Sequence, residues 1–254
     1  MNLKNEKMKK QKTTMIFNLL VAGLMFTFIT SCSKTIDAPI ATTVKDIDGN
    51  VYDTVKIGNQ IWMVENLKTT RYRNGDSIPN VMDATIWANL TSGGFCNYNN
   101  ITNNASKYGR LYNWYAVSDS RNLAPVGWHV ASDADWTTLQ NYLIANGYNY
   151  DGSTVGNYIA KSLSATTDWF TYSTIGTIGN DLSKNNKTGF TALPGGYRIN
   201  DGTFANLGYH AFWWTTTESS STNAVYRYLH FSSSTLSVYP AAKNWGRSVR
   251  CVKD

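Results

Sequence analysis

Charge is scarce in this chain: of 254 residues only 16% are Asp, Glu, Lys or Arg, and it has just three histidines, three cysteines and five prolines. His129, His210 and His230 are scattered, and neither a His-x-x-x-His nor a Cys-x-x-Cys spacing occurs, so the usual zinc patterns are missing. A distributed basic stripe is missing too. The formal charge of +6 falls to +2 once residues 1–31 are set aside, because Lys4, Lys7, Lys9, Lys10 and Lys12 outweigh Glu6 there. A near-neutral remainder has no electrostatic footprint for nucleic acid. Long apolar runs are also few, and the run Met15 to Thr30 contains Asn18 and is sixteen residues long. That is short of the ~20 apolar residues a spanning helix requires.

What is present begins with a lysine-rich front, an apolar middle and small residues before a cysteine, which reads as a signal peptide over residues 1–31. Ile29-Thr30-Ser31-Cys32 resembles a bacterial lipobox. The resemblance implies cleavage before Cys32, lipid on Cys32, a tether over residues 32–43 and a folded part over 44–254. A membrane, reached through that lipid, is then a partner, and the cell envelope is the expected location. Ser33-Lys34 lacks the aspartate of inner-membrane retention, which favours the outer membrane or cell surface. With Cys32 lipidated, Cys96 and Cys251 remain, and export permits a disulfide between them. Two buried thiols packing as small hydrophobes is the other reading.

The remainder is rich in Trp, Tyr, Asn, Thr, Ser and Gly, a composition of short strands and many loops with aromatics carrying the core. Asp48-Gly49 predicts a hairpin turn between Val44-Lys45 and Val51-Tyr52, and Ile61 to Val64 has the character of a buried strand. Read as a calcium loop, Asp46 to Ile57 has its glycine at the wrong offset and no closing glutamate. Leu111 to Val117 is a buried helix or strand. Ser132 can cap a helix with Asp135 three residues on, close to a capping box, and Trp136, Leu139, Tyr142 and Leu143 give that helix one apolar face up to Asn146-Gly147. A short helix is expected near Val155 to Leu163. Strands are expected at Phe190 to Arg198, Ala211 to Thr215, Val225 to Phe231 and Ser248 to Val252, and the alternation of Tyr226, Tyr228 and His230 predicts a sheet with unequal faces. In Trp213-Trp214 the two rings point to opposite faces.

Six ordered phrases, from DIDGNVYDTVKIGNQIWMVENL at Asp46 to Leu67, through GRLYNWYAV, GWHVASDADW, GFTALPGGYR and FWWTTTE, to SVRCVKD at Ser248 to Asp254, resemble the Fibrobacter succinogenes major paralogous domain. That family is similar in turn to C-type lectin-like and sulfatase-modifying-factor folds. The resemblance implies a single α+β, C-type lectin-like domain with two helices, short antiparallel sheets, long loops and a terminal strand beside the first. The Glu-Pro-Asn, Gln-Pro-Asp and Trp-Asn-Asp triplets of calcium-dependent sugar binding are absent, as is the cysteine pair of formylglycine-forming enzymes. No metal, cofactor or catalytic residue is assigned.

His129, between Trp128 and Val130, is read as structural, and Asp133, Asp135, Asp168 and Glu218 as capping or turn residues. Tyr197, Arg198, Tyr209, Trp214 and Arg227 are the candidates for a ligand-binding face, because the region after Pro194-Gly195-Gly196 borders ligand-facing loops in the related folds. The expected function is a lipid-anchored, non-catalytic binding or adhesion module for glycan or protein. The alternatives are an extracytoplasmic enzyme acting on cell-wall or other polysaccharide, and a structural envelope protein.

Overall fold

Strands β1 (Thr43–Lys45) and β2 (Val51–Ile57) form the expected hairpin, held by side chains of the turn between them. In this computed structural model residues 42–254 are described; the expected signal peptide, the expected lipidation at Cys32 and nearly all of the expected tether lie outside the described residues. The Asp46 carboxylate accepts from the backbone of Asp48 and Asn50 at 3.0 and 2.9 Å and from the Tyr52 hydroxyl at 2.6 Å. Burial pushes the Asp48 carboxyl up, but donors from Thr70, Arg71 and Thr69 outweigh it and bring the pKa to about 2. Asp46 is therefore committed to the turn, and Asp48 to holding that turn against Thr69, Thr70 and Arg71.

Eleven further short elements complete the strands and helices before the C-terminal sheet. They are β3 (Gln60–Met63), α1 (Ala84–Ala88), β4 (Phe95–Cys96), α2 (Thr102–Tyr108), β5 (Leu111–Tyr112), α3 (Trp114–Val117), β6 (Trp128–Val130), α4 (Asp133–Ala145), α5 (Ala160–Leu163), β7 (Gly195–Arg198) and β8 (Phe204–Leu207). Strands β9 (His210–Glu218), β10 (Asn223–His230), β11 (Ser237–Ala242) and β12 (Cys251–Lys253) close the chain. The arrangement is α+β, with a five-stranded antiparallel sheet in the order β1-β2-β3-β12-β6, a three-stranded sheet β11-β10-β9, and two-stranded pairs β4-β5 and β7-β8.

The last strand does not lie beside the first. Val252 pairs with Trp62 of β3, and Cys251 with Val130 of β6, so β12 fills the slot between them. Leu111 to Val117 resolves into both of its alternatives, a two-residue strand followed by one helical turn that Asn113 caps. Helix α4 carries the predicted capping box between Ser132 and Asp135. Its buried face is Trp136, Leu139 and Leu143, whereas Tyr142 is partly exposed and lies over Gly58, where a Cβ would stand 2.7 Å from its ring. The predicted helix near Val155 forms only over Ala160–Leu163.

Trp213 and Trp214 are both fully buried, on opposite sides of β9. Trp213 joins Trp62 of β3, Trp136 of α4 and Phe190 in one core, with ring centroids 4.9 to 6.1 Å apart. Trp214 faces a second core with Tyr52, Met63, Tyr112 and Val249. Cys251 sits in this second core and Cys96 in a third cluster with Val81, Trp87 and Leu111. Both thiols are free and buried, so the bridge considered above does not form: the residues occupy separate packed clusters. Burial pushes the Cys96 thiol up to about 12 and that of Cys251 higher still.

Candidate functional site: an aromatic sheet face around Arg247

The three-stranded sheet has the unequal faces that its alternation predicts. On one side Arg227, Leu229, Ala211 and Trp213 turn inward, and Arg227 donates to Asp133 at 2.7 Å and to Thr137 at 2.8 Å on α4. On the other side β9 offers His210, Phe212 and Trp214, β10 offers Tyr226, Tyr228 and His230, and register places Tyr239 of β11 opposite Tyr226. The Trp214 end of this face is covered, with its indole Nε1 donating to the Tyr112 carbonyl at 3.0 Å. The other end opens to solvent, where Tyr226, Tyr228, His210 and His230 are half-buried and Tyr239 is 56% exposed.

The rings make a continuous shelf. Phe212 stacks on His210 at 4.9 Å and on Tyr228 at 5.6 Å, His210 and His230 are 4.2 Å apart, and Tyr228 meets Tyr239 at 6.0 Å. Tyr197 of β7 extends it, edge-on to Phe212 at 4.8 Å and stacked on Trp245 at 5.3 Å. Gly196 sets that position: its φ is +64°, and a Cβ there would lie 2.5 Å from the Ala205 carbonyl and 2.6 Å from Tyr98. Only a residue without a side chain brings β7 so close to β8.

Beneath the shelf lies Arg247, 1% exposed. Its guanidinium carbon is 3.6 Å from the Tyr226 ring centroid and between 4.8 and 5.5 Å from those of Phe212, Trp214, Trp245 and Tyr197. Neither Nε nor Nη1 has a hydrogen-bond partner. Burial pulls this guanidinium down to about 10, so it stays charged at neutral pH. The Nδ1 of nearby His210 is also buried without a partner. Burial, His230 and Arg247 together lower the His210 pKa to about 4, which keeps the ring neutral.

Of the predicted site residues, Tyr197 reaches this face. Tyr209, 38% exposed, belongs to an adjoining patch in which it stacks on Phe170 at 4.1 Å and meets Phe231 edge-on at 5.3 Å. The other three are corrections. Trp214 is sealed between strands, and Arg227 is committed to α4 on the opposite face. Arg198 is fully buried and donates to the carbonyls of Gly202, Val81 and Met82 at 2.9, 2.6 and 2.8 Å, which ties β7 to the segment before α1. Arg247, Phe212, Tyr239 and Trp245 were not singled out from sequence, although the alternation through Tyr226, Tyr228 and His230 already marked the face.

The scattered carboxylates do not meet one another. Asp133 pairs with Arg227, Asp135 with His129, Asp168 with Lys107 and Glu218 with Lys243. His129 also contacts Asp254 at 2.7 Å, which ties β6 to Asp254. Among the described residues no three His, Cys, Asp or Glu side chains converge as metal ligands, and no helix is long and apolar enough to cross a membrane. A separate cavity of about 280 Å³ is lined by Lys161, Lys184 and Lys187 with Asn149, Tyr150 and Ser162. Lys161 is spent there on the carbonyls of Thr177, Asn180 and Asp181.

A family model described as Fibrobacter succinogenes major domain matches residues 55–253. The chain belongs to that family. No curated protein and no solved structure matches it. The matched stretch of this Fibrobacter succinogenes major domain runs from within β2 to β12, so it holds the whole aromatic face and all of the buried core except Tyr52.

Proposed function

We propose that the protein is a lipid-anchored, extracytoplasmic binding module of lectin-like type that holds a glycan on the open face of its β9-β10-β11 sheet, without catalysis. The observation that carries this reading is the shelf of Tyr226, Tyr228, Tyr239, Tyr197 and His230, half-buried or exposed and backed by a rigid strand register. Aromatic side chains with a polar tip combine apolar area with a hydrogen-bonding group, the combination that a sugar ring with one apolar face and a hydroxyl rim requires. An exposed apolar patch on a folded chain marks an interaction surface. The leader and Cys32 supply the tether, and the dispersal of the carboxylates into separate ion pairs supports binding over polysaccharide cleavage, which needs a facing pair.

The test is a glycan array probed with the full chain and with a Tyr228→Ser/Tyr239→Ser variant, both on the exposed side of the sheet. The reading predicts glycan signals that the double substitution abolishes while the urea midpoint hardly moves. Signals of equal strength from both proteins would place the ligand elsewhere and overturn it.

A further inference from the structure

Among the described residues four arginines are buried in the packed interior, Arg198, Arg227, Arg247 and Arg250, and three of them explain themselves. Arg198 spends its donors on three carbonyls. Arg250 donates to Met63 and Phe190 at 2.9 Å, to Val64, and to Asn66 Oδ1 through Nε and Nη2 at 3.1 and 2.9 Å. Arg247 has no such set: two of its nitrogens are unpartnered, and no carboxylate pairs with it among the described residues, whereas the buried Arg227 has Asp133. A buried guanidinium with idle donors is costly, and in native proteins such a group asks for a specific partner. Aromatic faces neutralise part of the charge but accept N–H groups only weakly, well short of a carbonyl or carboxylate oxygen.

We infer that the glycan held on this face is acidic, and that a uronic acid carboxylate seats on the guanidinium of Arg247. This deepens the proposed function and rests on it. The fork of a guanidinium matches the two oxygens of a carboxylate, and in a dry aromatic surround such paired, charge-assisted bonds are at their strongest. Tyr226 is the roof, 3.6 Å above the guanidinium and itself half-buried on the open sheet. The ligand reaches Arg247 by turning that ring aside, exchanging one cation–π contact for directed bonds. The sugar ring then lies along Tyr228, Tyr197 and Trp245. His210, neutral and with its Nδ1 unpartnered, adds a polar atom beside the same rings without adding charge.

The experiment compares tri-galacturonate with its carboxyl-reduced counterpart, trigalactose, by titration calorimetry on the full chain at pH 7. The expected result is at least about tenfold tighter binding of the acid, the worth of a charge-assisted bond or two. Arg247→Gln should bring the two probes to equal, weak affinity with the fold retained by circular dichroism. Should that variant not fold, Arg247→Lys, which keeps the charge but not the two-pronged fork, is expected to lose most of the acid preference. Equal affinity of the wild-type chain for both probes would overturn the inference and leave the glycan platform standing. Binding of neither probe would overturn the inference and count against the platform as well.

Discussion

Replacing Arg247 by methionine should leave the fold as stable as before or more so, although the residue is fully buried. The substitution removes two unpartnered donors of a charged group, each worth ~1–3 kcal/mol of unrecovered desolvation, from the midst of five aromatic rings. Lost cation–π attraction of ~0.5–2 kcal/mol works the other way, and a flexible apolar side chain fills much of the volume. The net expectation lies between no change and about 2 kcal/mol of stabilisation, in keeping with buried ions exchanged for hydrophobes elsewhere. Arg250→Met is the contrast: it strips donors from Met63, Val64, Phe190 and Asn66, which tie β3 and the Phe190 loop to the C-terminal strand. A loss of about 3–5 kcal/mol is expected there. Urea denaturation of the full chain at pH 7, followed by tryptophan fluorescence, measures both. An Arg247→Met protein destabilised by more than about 2 kcal/mol would refute the reasoning, since it would make Arg247 a structural strut like Arg250.

Acid should weaken the fold through His210. Burial and the neighbouring His230 and Arg247 lower its pKa from 6.5 to about 4, so the unfolded chain takes up the proton first. Its contribution is complete above pH 6.5 and is lost as pH falls toward 4. Because solvent reaches part of the ring, about 1–2 kcal/mol is expected rather than the ~3 of the full shift. His230 shifts in the same direction, and His210→Phe should flatten the urea midpoint between pH 6.5 and 4; an unchanged slope would contradict this assignment. Ser132→Ala removes the α4 capping box and should cost about 1 kcal/mol in the same assay, with a change below ~0.3 kcal/mol counting against it. Cys96 and Cys251, buried and held protonated, should resist a thiol-reactive dye at pH 8 until urea unfolds the chain; prompt labelling, or no thiols after unfolding, would show otherwise.

Local chemistry was legible wherever one residue type forces one conformation. The Asp48-Gly49 turn and the Ser132–Asp135 capping box needed no tertiary information, because their hydrogen bonds close within a few residues. The alternation in β10 announced two unlike faces, and the opposite facing of Trp213 and Trp214 followed from strand geometry, but that each ring fills a core of its own was not legible. The partner of the last strand was not legible, since the match of Val252 to Trp62 spans most of the chain and depends on how the intervening loops fold. The arginines mark the same limit. Arg198, Arg227, Arg247 and Arg250 look alike in sequence, and only the fold shows carbonyls around two of them, an aspartate beside the third and rings around the fourth. Their roles follow from partners contributed by residues far along the chain, so a place just after Pro194-Gly195-Gly196 did not distinguish Arg198 from Arg247.

A crystal structure of the chain grown with tri-galacturonate should show a sugar across Tyr228, Tyr197 and Trp245, with Tyr226 turned aside and a carboxylate on the Arg247 guanidinium. A sugar bound instead in the lysine-lined cavity of Lys161, Lys184 and Lys187, with Tyr226 still closed over Arg247, would contradict that placement.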